Sequence, residues 1–254
     1  TTSLGTFQAA IASSISTAID TETAYNPHAF VGPNAAPGAL RVISAATRTS
    51  DGTEQAWVLD VMNLNRLTIA SILSGVDAKA WNADFDARVL DRDLFDPARK
   101  TDSAITSISW WDAQLADALL HQGRTGFSFY HGLAWAVEWY LGLTAEGKGT
   151  TQLSYNEVDP LSDDQVLYAA ADAVETLWVA DEISNRIDEA GLLEVCRLEQ
   201  QARPFLDHME RVGLPFDWSG WEQRLDQMEQ RRTQVSSELA DLTGGGQASL
   251  FGDT

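Results

Sequence analysis

Phe7, Ile11 and Ile15 recur at the four-residue interval of an amphipathic helix face, and Ser16 to Thr23 then read as a strand whose end carries Asp20 and Glu22. Tyr25 to Ala39 holds Pro27, Pro33, Pro37, Gly32 and Gly38, a composition that specifies a loop. Two further β-patterned runs follow, Leu40 to Arg48 and Ala56 to Val61, joined by the hairpin signal Ser50-Asp51-Gly52, so the first three strands suggest an antiparallel meander. Leu64 to Leu73 has helical periodicity and stops at Gly75. Ala78 to Ala83 reads as a fourth strand running into a helix that carries Phe85, Val89 and Leu90. Ile105 to Trp110 suggests a fifth strand, after which Asp112 caps a helix through Leu120 and Tyr130 to Leu141 forms another. A glycine-punctuated loop covers Gly142 to Thr151. A long helix begins at Ser162, with Asp163 and Asp164 in its first turn, and runs to about Ala190, where Gly191 stops it.

Early strands mixed with later helices predict an α/β domain over residues 1–190. Leu193 to Val212 and Trp218 to Thr243 read as two charged helices joined by Gly213-Leu214-Pro215, giving a helical extension over 191–254 whose tail from about 244 is flexible. Gly213 and Pro215 interrupt any heptad pattern running through both helices, which disfavours one continuous coiled coil as a partner-binding element.

With 254 residues, 44% of them hydrophobic, the chain can bury a full core, and charge breaks every apolar run before it is long enough to cross a membrane. The expectation is a cytoplasmic monomer. The single cysteine, Cys196, allows no internal disulfide and no Cys-rich zinc site. A net charge of −20 argues against tight duplex binding by phosphate neutralisation, unless bound cations supply the positive charge locally.

Three short patterns carry chemistry. In Asp20-Thr21-Glu22 the two carboxylates project from one face of a strand, a hard-oxygen pair suited to magnesium or manganese. Asn82 and Asp86 lie one helical turn apart where a strand enters a helix. Tyr168 and Asp172 stack at i and i+4 on the long helix, with alanines between them that let backbone or substrate approach. Each alone has an ordinary explanation as a solvated edge or an alanine-rich core helix. His28, His121, His131 and His208 show no metal-like spacing and read as surface or core residues, and Trp135 with Trp139 reads as core rather than as a stacking platform.

Together, in this order and approximate separation, the three patterns resemble the DEDDy 3′→5′ exonucleases, the superfamily of the proofreading domains of family A DNA polymerases and of ribonuclease D. Leu167, where the histidine branch has His, fits the tyrosine branch. Asp112-Ala113-Gln114-Leu115-Ala116, Gly147-Lys148-Gly149 and Gln152-Leu153-Ser154-Tyr155 resemble polymerase I segments. The stretch Ala202 to Glu210, followed by Gly213-Leu214-Pro215-Phe216-Asp217, resembles the opening of the polymerase portion, although none of the polymerase's catalytic motifs is present. The loop from Tyr25 to Ala39 is longer and richer in proline than the family's.

The resemblance implies a ribonuclease H-like mixed sheet flanked by helices, combining an antiparallel meander with parallel strands. It implies two Mg2+ or Mn2+ ions as cofactors: Asp20 bridges them, Glu22 and Asp172 complete the first, and Asp86 holds the second largely through water. Such a pair, about 4 Å apart, activates a water and neutralises the leaving oxygen. Tyr168 would orient the water; Thr23 and Asn82 would hold the terminal nucleotide, and Arg124 and Lys148 the phosphates. The expected substrate is a single-stranded DNA 3′ end, shortened to nucleoside 5′-monophosphates, with a polymerase domain in the same natural chain as a possible partner. Two rival readings are an RNA-trimming enzyme like ribonuclease D and a catalytically silent scaffold domain. The four carboxylates disfavour the second.

Overall fold

The computed structural model describes residues 4–25, 38–94, 107–123, 131–144, 151–213 and 215–243. The strands β1 (Ser16–Thr23), β2 (Leu40–Arg48), β3 (Glu54–Asp60), β4 (Asp77–Ala80) and β5 (Ser109–Asp112) form one five-stranded sheet in the order β3-β2-β1-β4-β5. The meander read from the sequence is β1, β2 and β3, paired antiparallel with Ser16 opposite Arg48 and Arg48 opposite Glu54. β4 and β5 extend it in parallel on the other side of β1, with Thr17 beside Ala78 and Ala80 beside Asp112. The sheet is therefore mixed, as expected, and β1 is its central strand.

Helices cover both faces. α1 (Leu4–Ser13), α2 (Arg66–Leu73) and α3 (Ala83–Asp93) contribute Phe7, Ile69, Leu73, Val89 and Leu90 to one large core, which also takes Ile19 of β1 and Ile43 of β2. On the opposite face lies α6 (Asp163–Glu189), whose Ala173 and Leu177 pack against Ala18 and Ala46. Side chains alternate along β1. Ile19 and Thr21 thus belong to the α3 side, whereas Ala18, Asp20 and Glu22 belong to the α6 side. Ser162 caps α6 with a complete capping box, in which Gln165 N–H donates to Ser162 Oγ and Ser162 N–H donates to Gln165 Oε1. At the other end of the sheet, Arg48 of β2 and Lys79 of β4 both pair with Asp181 of α6.

α4 (Ala113–His121) and α5 (Leu133–Ala136), which continues as a π-helical turn over Val137–Leu141, pack with α6 in a further core containing Ala116, Tyr140, Val179 and Ile183. The residues divide into two compact units, Thr1–His208 and Met209–Thr254. The first extends past the boundary read at residue 190 because α7 (Leu193–Val212) is tied into it: Arg203 pairs with Asp84, Arg88 with Asp207, and Gln200 Nε2 donates to the Asp112 carbonyl at 2.8 Å. In the second unit α8 (Trp218–Leu242) starts at Asp217, whose side chain accepts from Gly220 N–H.

Among the element boundaries that differ from the sequence reading, two bear on the site. The fourth strand ends at Ala80, not Ala83, because Asn82 adopts a left-handed conformation (φ 66°, ψ 58°) and Ala83 already begins α3. The fifth strand lies later, at Ser109–Asp112, so that Asp112 closes the strand and caps α4 at once. Residues 26–37, most of the proline-rich loop, fall outside the described residues, as do Arg124, Lys148 and the tail from residue 244.

Leu177 is fully buried where α6 crosses β1 and β2. Leu177→Ala is expected to lower the unfolding free energy by about 2–5 kcal/mol, the range for a leucine truncated in a close-packed core. Urea titration followed by circular dichroism measures it, and a loss below about 1 kcal/mol would show that this crossing is not a tight contact.

Candidate active site

The end of β1 and the first third of α6 bring three carboxylates together. Asp20, Glu22 and Asp172 each present one oxygen, and these oxygens lie within 4.8 Å of one another. Glu22 is 5% and Asp172 7% exposed, while Asp20 is partly exposed. The convergence follows from two periodicities. The two-residue repeat of the strand puts Asp20 and Glu22 on the face that α6 covers, and Asp172 shares a helix face with Ala169 and Ala173, both fully buried. Because those neighbours are alanines, the α6 backbone sits close to the sheet and a short aspartate reaches the strand acids.

Tyr168 lies one turn before Asp172, and its half-buried phenol hydrogen-bonds to that carboxylate. Burial and then the charges of Asp172 and Glu22 push the Tyr168 hydroxyl well above the ordinary phenol range, so it stays a donor at any physiological pH. Tyr155 stands on the same side. It is 1% exposed, donates to the Gln165 carbonyl at 2.8 Å, and accepts the Tyr25 N–H on its own carbonyl at 2.8 Å, which ties the chain leaving β1 to the segment before α6. Burial and the charges of Glu22, Asp20 and Asp172 raise this phenol too. Ser44 of β2 lies behind Asp20, its hydroxyl 3.4 Å from the Asp20 carbonyl and 3.5 Å from Oδ2.

Asp86 is not among the three clustered groups. It approaches from the α3 side, 2% exposed, and accepts a 2.7 Å hydrogen bond from Thr21 Oγ1, the side chain between the two strand acids that points to the opposite face. Burial raises its pKa to about 7, with the hydrogen bonds from Thr21 acting against that rise and the nearby charge of Asp112 adding to it. Asn82 occupies the corner just before α3. Its side chain is exposed and makes no capping bond, and among the described residues it is the one non-glycine at positive φ. An asparagine held there at a cost of order 1 kcal/mol marks a corner whose conformation is imposed by its surroundings. Thr23, at the end of β1, is partly exposed; the register with β2 shifts between Glu22 and Thr23, so that Thr23 stands opposite Leu40.

Asp112 holds this corner in place. Its Oδ2 accepts from Ala83 N–H at 2.9 Å, and its Oδ1 accepts from Gln114 and Leu115 N–H at 2.9 and 3.1 Å, so one carboxylate caps α4 and binds the first turn of α3. The cap was legible as Asp112 before a helical run, whereas the link to Ala83 was not, since nothing in local spacing tells which other helix start will be adjacent. The same holds for Thr21 and Tyr155.

The clustered donors are all hard oxygens, with no nitrogen or sulfur among them. Such a set fits Mg2+ or Mn2+, and three carboxylates so close to one another favour a cation between them.

Among solved structures, one described as the apo form of the nuclease superposes with a TM-score of 0.58 at 19% identity, covering 81% of this chain and 89% of that one. Trypanosoma brucei RNase D gives 0.57 at 16% identity, over 71% of this chain and 61% of that one. Brucella melitensis NrnC gives 0.56 at 18% identity, over 78% and 86%. At these identities the likeness is one of fold. No curated protein matches the sequence. The model of the 3′-5′ exonuclease family matches residues 8–188, a span that contains β1, α3 and most of α6 with every group described above, and the chain belongs to that family.

Proposed function

We propose that the chain removes nucleotides one at a time from the 3′ end of single-stranded DNA, using two divalent ions held by Asp20, Glu22, Asp172 and Asp86. The observation that supports this most is the convergence of the Asp20, Glu22 and Asp172 carboxylates beneath the Tyr168 hydroxyl. Bound there, the ions would supply positive charge to the scissile phosphate and lower the pKa of the attacking water. Tyr168, a neutral donor anchored on Asp172, orients that water in line with the leaving 3′-oxygen. The water oxygen bonds to phosphorus as the bond to the 3′-oxygen breaks, and a nucleoside 5′-monophosphate departs. Asp86, held by Thr21, would complete the second ion's surroundings through water. Asn82 and Thr23 would serve the terminal nucleotide; Arg124 and Lys148 remain proposals for phosphate contact.

The choice of DNA rests on the resemblance of Ala202 to Asp217 to the start of a polymerase region, and with it comes the proposal that a polymerase domain accompanies this one in the natural protein. A second reading, trimming of RNA, is favoured by the fold's likeness to RNase D, including a structure described as its complex with RNA U12. Matched DNA and RNA oligonucleotides, 5′-labelled and resolved on a gel, separate the two. The DNA should shorten at least about 10-fold faster, as expected if one hydroxyl-excluding or -accepting contact discriminates; faster loss of the RNA transfers the assignment to the second reading.

Activity should require Mg2+ or Mn2+ and yield a ladder shortened from the 3′ end. Asp20→Ala, Glu22→Ala and Asp172→Ala should each lower kcat by about 10²-fold or more. Tyr168→Phe removes one hydrogen bond and no carboxylate, so it should cost about 10-fold. A fully active Asp20→Ala enzyme, or internal cuts in the ladder, would sink the assignment.

A third expectation concerns pH in chelator. Asp86 binds its proton more tightly folded than unfolded, so between its ordinary value of 3.8 and about 7 the folded chain retains a proton that the unfolded chain has released. Stability contributed by this group therefore falls as pH rises through that window. Chemical denaturation at pH 5 and 8 should show a smaller pH difference for Asp86→Asn than for the unaltered chain; parallel pH curves would mean that the buried carboxyl is not the source.

A further inference from the structure

A second cluster of ligating side chains lies on α4 and at the entrance to α5. Asp117 and His121 are one helical turn apart on α4, and His131 stands two residues before α5. All three are buried, and one ligating atom from each lies within 4.8 Å of the others. His131 Nδ1 is 2.7 Å from Asp117 Oδ2, and His121 Nδ1 is 3.1 Å from Asp117 Oδ1. Tyr140 closes the group by donating its hydroxyl to Asp117 Oδ1 at 2.6 Å. Around them the walls are aromatic. Trp135 stacks on the His131 ring with centroids 3.6 Å apart, and Trp135 and Tyr140 both present to His121 edge-on.

A carboxylate with 0% exposure is costly to ionise unless positive charge stands beside it. Among the described residues no lysine or arginine pairs with Asp117; the groups that stand beside its carboxylate are the two imidazoles and the Tyr140 hydroxyl. Two imidazole nitrogens and one carboxylate form a borderline donor set of the composition that binds Zn2+ with a fourth position left over, and it differs in kind from the all-oxygen set of Asp20, Glu22 and Asp172. The Tyr140 hydroxyl on the carboxylate is the outer hydrogen bond by which metal sites orient their ligands.

We propose that Asp117, His121 and His131 form a zinc-class metal site, separate from the acidic cluster. An ion there clamps the end of α4 to the start of α5. It also reaches the nucleotide-facing corner, because the His131 carbonyl accepts from both Gln114 Nε2 (2.8 Å) and Trp81 Nε1 (3.3 Å), and Trp81 adjoins Asn82.

The test uses the full chain, stripped with chelator and then exposed to Zn2+ in excess Mg2+, followed by gel filtration and metal analysis. One zinc equivalent should be retained, should persist in Asp172→Asn, and should be lost in His121→Gln and in His131→Gln. Tyr140→Phe should weaken binding about 10–100-fold in a competition titration. Cobalt in place of zinc should give the intense visible absorption of a low-coordinate site with nitrogen ligands. Circular dichroism establishes that each variant is folded; if either histidine variant is not, the cobalt spectrum of the unaltered chain decides. Failure to retain zinc, retention that disappears in Asp172→Asn but survives both histidine variants, or the weak cobalt absorption of an all-oxygen octahedral site would each overturn the proposal and leave the cluster a histidine–aspartate ion pair.

Discussion

Close contact between α6 and the central strand governs the active site, and it depends on how little side chain separates the two. Ala18 and Ala46 on the sheet meet Ala173 and Leu177 on the helix, and Ala169 is buried one turn further on. Larger residues at those positions would lift the helix, and an aspartate side chain, only two bonds beyond its Cα, would no longer reach Asp20 and Glu22. The same closeness forces three acids into one space, where their negative charges repel one another. Hydrophobic packing elsewhere along α6, through Val179, Ala180, Ile183 and Ile187, offsets that repulsion. The site is thus held open to cations by a core that does not itself touch them.

The sheet separates two kinds of acid. Asp20, Glu22 and Asp172 belong to the α6 side, where an ion would be shared among them, whereas Asp86 comes from the α3 side and is bonded to Thr21. One strand, β1, therefore presents two carboxylates of the acidic cluster on one face and steadies a fourth carboxyl from the other. Burial on the α3 side is also what raises the Asp86 carboxyl above the usual carboxylate range.

Much of this was legible in the sequence, and the reasons are local. Ser16 to Thr23 and Leu40 to Arg48 were read with their observed bounds because each is a short β-patterned run bounded by acidic or turn residues, and Ser162 was read as a helix start because Asp163 and Asp164 fill the first turn after it. Asp20, Glu22, Tyr168 and Asp172 were visible as pairs within single elements. What spacing could not give was juxtaposition between elements. His121 and His131, ten positions apart and on either side of a connecting segment, gave no metal-like pattern, yet the fold sets both against Asp117. Trp139, read as core, is 45% exposed, although it stacks on Trp135 with ring centroids 5.2 Å apart. Trp81 to Ala83 has the composition of a strand, whereas the left-handed turn at Asn82 sits beside a bond between Ala83 and Asp112, residues 29 positions apart that no local pattern links.

Asp112 has a consequence for motion. Its carboxylate, buried and raised above the usual range mainly by that burial, serves the first amides of two helices at once. Neither helix can unwind its first turn without stranding an acceptor needed by the other, so the amides of Ala83, Gln114 and Leu115 belong to one cooperative opening unit. The corner at Asn82 inherits the rigidity of that unit. If the terminal nucleotide is held at this corner, as proposed, it would meet a surface whose shape is set before binding, with little ordering entropy left to be lost when it docks.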